Sequence, residues 1–243
     1  MFDDLKPHIA DLRKRLVISA ISITIMFFVC FAFYEPILDW MMAPVKHALP
    51  AGTSMIAVEI QETFFTAMKV AFFAGFILSL PVIFWQLWLF LAPGLYDHEK
   101  KLVIPFVFFA TLMFLIGASF AYYVVVPIGF DFLIAFGNSV VSVLPSIGKY
   151  VGFFTKLMIG FGIAFELPVI TFFLAKIGLV TDETLKGFFR YAVVLIFIVA
   201  SILTPPDVIS QILMAVPLLF LYGVSIYIAK VFNPAVKEEE EEE

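Results

Sequence analysis

The chain has little of what soluble chemistry uses. One cysteine in 243 residues, Cys30, excludes an internal disulfide. Three scattered histidines beside it spell no zinc cluster, and no metal site is expected. The phosphate-binding loop GxxxxGK[ST], the hydrolase elbow GxSxG and the dinucleotide fingerprint GxGxxG are all missing, so no cofactor is implied. His98-Glu99-Lys100-Lys101-Leu102 begins like the zinc-protease motif HExxH but lacks its second histidine. Charge is scarce as well, at 14% of residues against ~25% in soluble domains. The net charge of −5 comes with six glutamates at 238–243. Without that run fourteen acids face fifteen bases, so net charge implies no acidic or basic partner and no nucleic acid.

What the chain does have is apolar length. Hydrophobic residues make up 63%, thirty-one of them Phe, and the mean hydropathy is +1.06. This composition predicts an all-α, polytopic integral membrane protein with six spans, at about 16–34, 64–91, 102–127, 151–177, 191–203 and 208–229. Residues 1–231 are expected as one transmembrane domain and 232–243 as a disordered acidic tail. Leu5, Ile9, Leu12 and Leu16 share one helical face, with Asp4, His8, Asp11 and Arg15 on another, an amphipathic lead-in. The run behind it exceeds a signal-peptide core and no small-residue cleavage site follows, so it reads as an uncleaved first span.

The hydrophilic stretch 35–62 is expected to turn at Pro36, at Pro44 and at Pro50-Ala51-Gly52. Residues 102–136 are too many for one crossing, and a bend at Pro127 would let their outer part project from the membrane. Thr181 suits the N-cap of a short polar helix before the fifth apolar run. That run, 191–203, has thirteen residues, ~20 Å as a helix, and the last two spans would thin the bilayer around them. Six spans place both termini on one side. Eleven Lys and Arg fall on that side against four (Lys46, Lys69, Lys149, Lys156) on the other, which predicts cytoplasmic termini.

Glu166 is the one ionisable residue between Lys156 and Lys176, ~15 Å from each along a helix and so near the bilayer midplane. A carboxylate there costs roughly 2.5–3.5 kcal/mol on insertion scales unless protonated, paired or hydrated. Pro168 frees a backbone carbonyl at similar depth. Such a residue is either a hydrogen-bonded structural acid or a functional one. One functional alternative is a proton-coupled transporter of a small solute with Glu166 as proton carrier, but no internal repeat supports it. An intramembrane protease would need a catalytic pair, and Glu166 and Asp207 lie at different depths.

On the cytoplasmic side, His8-Ile9-Ala10-Asp11-Leu12-Arg13-Lys14-Arg15 and the loop from Phe90 through Ala92-Pro93-Gly94-Leu95-Tyr96-Asp97-His98-Glu99 to Lys101 set carboxylates among cations. Carboxylates are what a guanidinium ligand needs, because arginine engages them in bidentate geometry. Either run alone also fits a solvated topology signal.

With these residues the chain resembles the TatC family, the polytopic receptor subunit of the twin-arginine protein translocase. Four ordered motifs carry the resemblance: H-x-x-[ED]-L-R-x-R-L from His8, F-x-x-P-x-L-Y-x-H-E-[KR] from Phe90, F-G-x-x-F-E-x-P around Glu166, and T-P-P-D-x-x-S-Q at 204–211. The resemblance implies a concave bundle of six helices with the last two short. It implies that Glu99 is the main partner of signal-peptide arginines, helped by Asp11 and supported by Phe90, Arg13 and His98. Where the family usually carries Glu, this chain has Asp11, one methylene shorter. Glu166, Thr204, Ser210 and Gln211 are implied as an intramembrane polar and partner-docking set, and Pro44, Pro93 and Asp207 as structural. Implied too are TatA- and TatB-type single-span partners, self-association in the receptor complex, transport of folded proteins by proton-motive force without catalysis, and a place in the bacterial cytoplasmic (inner) membrane.

Overall fold

In a chain this apolar the backbone N–H and C=O groups have to be bonded within their own segment, and the helix does that locally. The computed structural model describes residues 2–49, 55–91, 103–137, 144–204 and 208–233. Among them lie α1 (Phe2–Ala32), α2 (Tyr34–Ala48), α3 (Glu62–Leu91), α4 (Val103–Phe120), α5 (Val126–Gly137), α6 (Ile147–Lys176), α7 (Asp182–Leu203) and α8 (Val208–Phe232). Six helical stretches among the described residues are long and apolar enough to cross a membrane. The last two, of 22 and 25 residues, are shorter than the second, third and fourth, of 29, 33 and 30.

Packing divides the chain into two units, Met1–Leu112 with Val143–Thr155 and Met113–Ser142 with Lys156–Glu243. In the first, α1 lies along α3 at close range. A methyl group on Gly75 of α3 would stand 2.7 Å from the backbone nitrogen of Phe27, so only glycine admits this approach. Aromatic rings fill the space further down, with Phe106 of α4 4.8 Å from Trp88 and 6.4 Å from Phe84.

The stretch expected to turn at Pro36 and Pro44 is instead the helix α2. Leu38, Met41 and Val45 recur at helical spacing and are buried, and that face outweighs the prolines. Pro36 sits in the first turn, where its missing N–H breaks no helical bond. Pro44 lies inside α2. The Tyr150 hydroxyl donates to the Met41 carbonyl at 2.6 Å, fixing α2 to α6.

A single carboxylate organises the N-terminal ends of α3 and α6. Glu62 accepts from the Gly148 N–H at 2.7 Å and from the Ser146 hydroxyl with one oxygen. Its other oxygen accepts from the Val58 and Glu59 N–H groups at 2.5 and 3.3 Å. Beside it Ile56 and Ser146 form a two-residue parallel bridge, with Ile147 N–H donating to Ile56 O at 3.0 Å.

In the second unit the chain stays helical through Pro127. Its helix widens over Ala121–Val125 into a π turn, in which Val126 N–H bonds Ala121 O. Proline has no N–H and crowds the carbonyl four residues back, and widening the turn before it relieves both without the expected break. Thr181 does cap α7, accepting from Thr184 N–H at 3.1 Å. That helix is not short, because nothing between Asp182 and Leu203 ends it and the polar turns continue into the apolar run. Asn233, fully buried past α8, donates to Val180 O at 3.0 Å and ties the end of α8 to the turn before α7.

Candidate functional site

The amphipathic start of α1 carries Asp11 and Arg15 one turn apart, and an ion pair joins them, Arg15 Nε to Asp11 Oδ1 at 3.2 Å. Arg15 reaches further, with Nη1 donating to Gln86 Oε1 on α3 at 3.4 Å. Gln86 is buried, so the contact holds a guanidinium against the lower part of α3, one turn before the half-buried Phe90. Asp11 Oδ2 has no partner among the described residues and remains able to accept from a second guanidinium. Arg13 turns away from this cluster and, with Lys14, flanks a groove of about 610 Å³ walled by Ile9, Val17 and Ile18.

Asp11, Arg13 and Phe90 are thereby described, whereas Pro93, His98 and Glu99 lie outside the described residues, as does Asp207. Arg15 and Gln86 were not singled out from the sequence as site residues. The signal for Gln86 was available: it is the one amide side chain in the apolar run 64–91, and a polar residue in such a run has a bonding partner as a rule.

The second polar place is on α6. Glu166 is 6% exposed, the backbone N–H of Phe114 approaches its carboxyl group, and Oε1 has no hydrogen-bond partner among the described residues. One turn earlier Gly162 makes room for the Phe114 ring, since a methyl group there would stand 2.4 Å from its Cζ. The FGxxFExP motif therefore has a steric meaning in its glycine, which lets α4 press an aromatic ring onto the turn beneath the acid. Pro168 is accommodated inside α6.

At the α7–α8 corner the predicted polar residues are bonded inside the chain. The Thr204 hydroxyl donates to Ala200 O at 2.8 Å, and Gln211 Nε2 reaches across to Phe197 O on α7 at 3.1 Å. Ser210 is buried beside them. Around this corner Leu195, Ile198, Ile202, Ile212 and Val216 are exposed, an apolar surface that suits lipid or another helix.

The family model described as Sec-independent protein translocase protein (TatC) matches residues 7–217. Curated relatives include the Sec-independent protein translocase protein TatC of Campylobacter jejuni, 56% identical over the whole of both chains. That of Helicobacter pylori is 53% identical over 99% of this chain and 92% of its own. That of Escherichia coli is 38% identical over 98% and 94%. Among solved structures, the crystal structure of the twin-arginine translocase receptor TatC superposes with a TM-score of 0.85 at 37% identity, covering 93% of this chain and 99% of that one. A match of this length, spanning both polar places and all six apolar helices, makes the chain a multi-pass membrane protein that belongs to the TatC family of Sec-independent protein translocase proteins.

Proposed function

We propose that the chain is the receptor subunit of a twin-arginine translocation system, binding signal peptides at its cytoplasmic face and moving folded proteins across the cytoplasmic (inner) membrane. The observation that carries this reading is the family match over residues 7–217. The cluster of Asp11, Arg15 and Gln86 supports it, because it leaves one carboxylate oxygen open toward an incoming guanidinium. Glu99 is the main partner of the paired arginines, and Asp11 the second, with His98 beside Glu99 and with Arg13 and Phe90 bordering the place. Pro44, Pro93 and Asp207 keep structural roles.

TatA- and TatB-type single-span subunits dock along α7 and α8. The exposed apolar side chains there support that reading, with Glu166, Thr204, Ser210 and Gln211 supplying polar contacts. The receptor also self-associates. The proton-motive force drives transport, and the role is binding and conveyance rather than catalysis. Both termini lie in the cytoplasm, in keeping with the eleven-to-four bias of Lys and Arg.

The test is a pull-down of the detergent-solubilised chain by a twin-arginine signal peptide against its twin-lysine version. Retention of the arginine peptide and loss of the lysine one is the expected result, because a planar fork satisfies two carboxylates where a point charge does not. A carrier of small solutes would retain neither peptide preferentially, and equal retention overturns the reading.

A further inference from the structure

A groove of about 650 Å³ runs between α1 and α3 in the first unit and shares no lining residue with either polar place described above. Its walls are Phe27 and Phe28 of α1 and Phe65 and Phe72 of α3, and Thr155 of α6 borders it with a hydroxyl that has no partner among the described residues. Phe28, Phe65 and Phe72 are each more than half exposed, so the groove is open rather than enclosed. One charged side chain lines it, Lys69, exposed and with no carboxylate or hydrogen-bond acceptor among the described residues.

Lys69 stands seven residues into α3, ~10 Å from Glu62 along the axis. A helical Cα–Cβ bond leans toward the helix N-terminus, and a lysine stem lies along apolar surface while its head seeks the polar boundary. Its ammonium is thus carried toward the headgroup level at the α3 N-terminal end, near the level of Phe65, while Phe28 and Phe72 remain at acyl-chain depth.

The dimensions decide what fits. A crossing helix, ~10 Å across and ~30 Å long, would fill roughly 2,400 Å³, well beyond this groove. Helix pairs in membranes also need small residues for backbone approach, and here the α1 and α3 walls are built mainly of phenylalanine, with small residues confined to Thr24 and, on the α6 border, Gly152 and Thr155. A hydrocarbon chain fits between such rings, and the unpaired cation asks for a phosphate whose charge is not cancelled by an ammonium of its own.

We propose that this groove holds one anionic phospholipid of the leaflet at the α3 N-terminal end, its acyl chain between Phe28 and Phe72 and its phosphate on Lys69. The site is independent of signal-peptide recognition. It sets a lipid as a wedge beside the close contact that Gly75 makes with α1.

Native mass spectrometry of the full chain, titrated with phosphatidylglycerol or with phosphatidylcholine of the same acyl chains, tests the proposal. One phosphatidylglycerol should be retained about fivefold more tightly by the parent than by Lys69→Gln, the weight of one lysine beside an anionic headgroup. Lys69→Arg should restore it, and phosphatidylcholine should not distinguish the three. As a second measurement on a chain with Lys69 intact, a photo-crosslinking side chain at Phe28 in mixed-lipid nanodiscs should capture phosphatidylglycerol. Equal retention by parent and Lys69→Gln, equal retention of the two lipids, or capture of a protein helix in place of lipid overturns it.

Discussion

Asp11 is the residue on which the sequence and the geometry pull in different directions. Its motif position implies, by resemblance, a ligand for arginine, yet its Oδ1 is engaged at 3.2 Å by Arg15 of the same helix. A partly exposed pair of this kind is worth little by itself, but a guest guanidinium has to share the carboxylate with it. Glu99→Gln, which keeps shape and removes charge, is therefore expected to weaken signal-peptide binding by about 1.5–3 kcal/mol, the scale of a charge-assisted hydrogen bond. Asp11→Asn should cost less, in calorimetry on the same peptide. A larger loss at Asp11 would reverse the ranking. The contact of Arg15 with Gln86 is not legible in the sequence, because the two are seventy-one residues apart, a separation that no helical periodicity encodes.

At the scale of the helix, two contacts make firm expectations. Gly162→Ala would drive a methyl group into the Phe114 ring at 2.4 Å, and overpacking of that kind costs about 1–3 kcal/mol. Thermal unfolding in detergent should show the loss, and Phe114→Leu in the same chain should recover much of it, since the two residues share one contact. Glu62→Gln replaces an acceptor of four hydrogen bonds with a group that turns an NH2 toward some of the same donors. Hydrogen exchange at Val58 and Gly148 is expected to quicken roughly tenfold to a hundredfold, from a loss of about 1.5–3 kcal/mol in local opening. Unchanged exchange would mean that the bridge between Ile56 and Ser146 holds these ends without the carboxylate. Both contacts were half legible: glycine in an apolar run and an acid at its start are visible, but what they touch is not.

The whole molecule is defined by six apolar helices and by where its few cations fall. If the termini are cytoplasmic, Lys186→Cys and Lys46→Cys lie on opposite sides of the membrane. Cys30 is buried and leaves a quiet background for thiol labelling. In intact cells a membrane-impermeant maleimide should label the cysteine at position 46 and spare that at 186 until the membrane is opened. The reverse pattern would invert the orientation, and with it the side on which Asp11 and Glu99 could meet a signal peptide. The fifth span, α7, belongs to this scale too: its apolar part is thirteen residues, although the helix runs for 22, a length that lets its polar first turns reach the headgroup level. Arg190, stacked on Tyr191 at 4.7 Å, marks that boundary.

The sequence by itself determined the number of long apolar helices, the family, and the acid Glu166 set inside one of them, because apolar length and ordered motifs are local properties of a chain. It also located the cap of α7 at Thr181, a signal carried by a single side chain. Only the tertiary structure decided that Pro36 and Pro44 lie within a helix and that Pro127 widens its helix rather than breaking it. The cost of a proline is local, about 3 kcal/mol inside a helix, but burial of Leu38, Met41 and Val45 depends on what lies opposite them. The same holds for Glu62, Gln86 and Lys69: the chain names them, and only the fold gives the first two their partners and leaves the third facing an open groove.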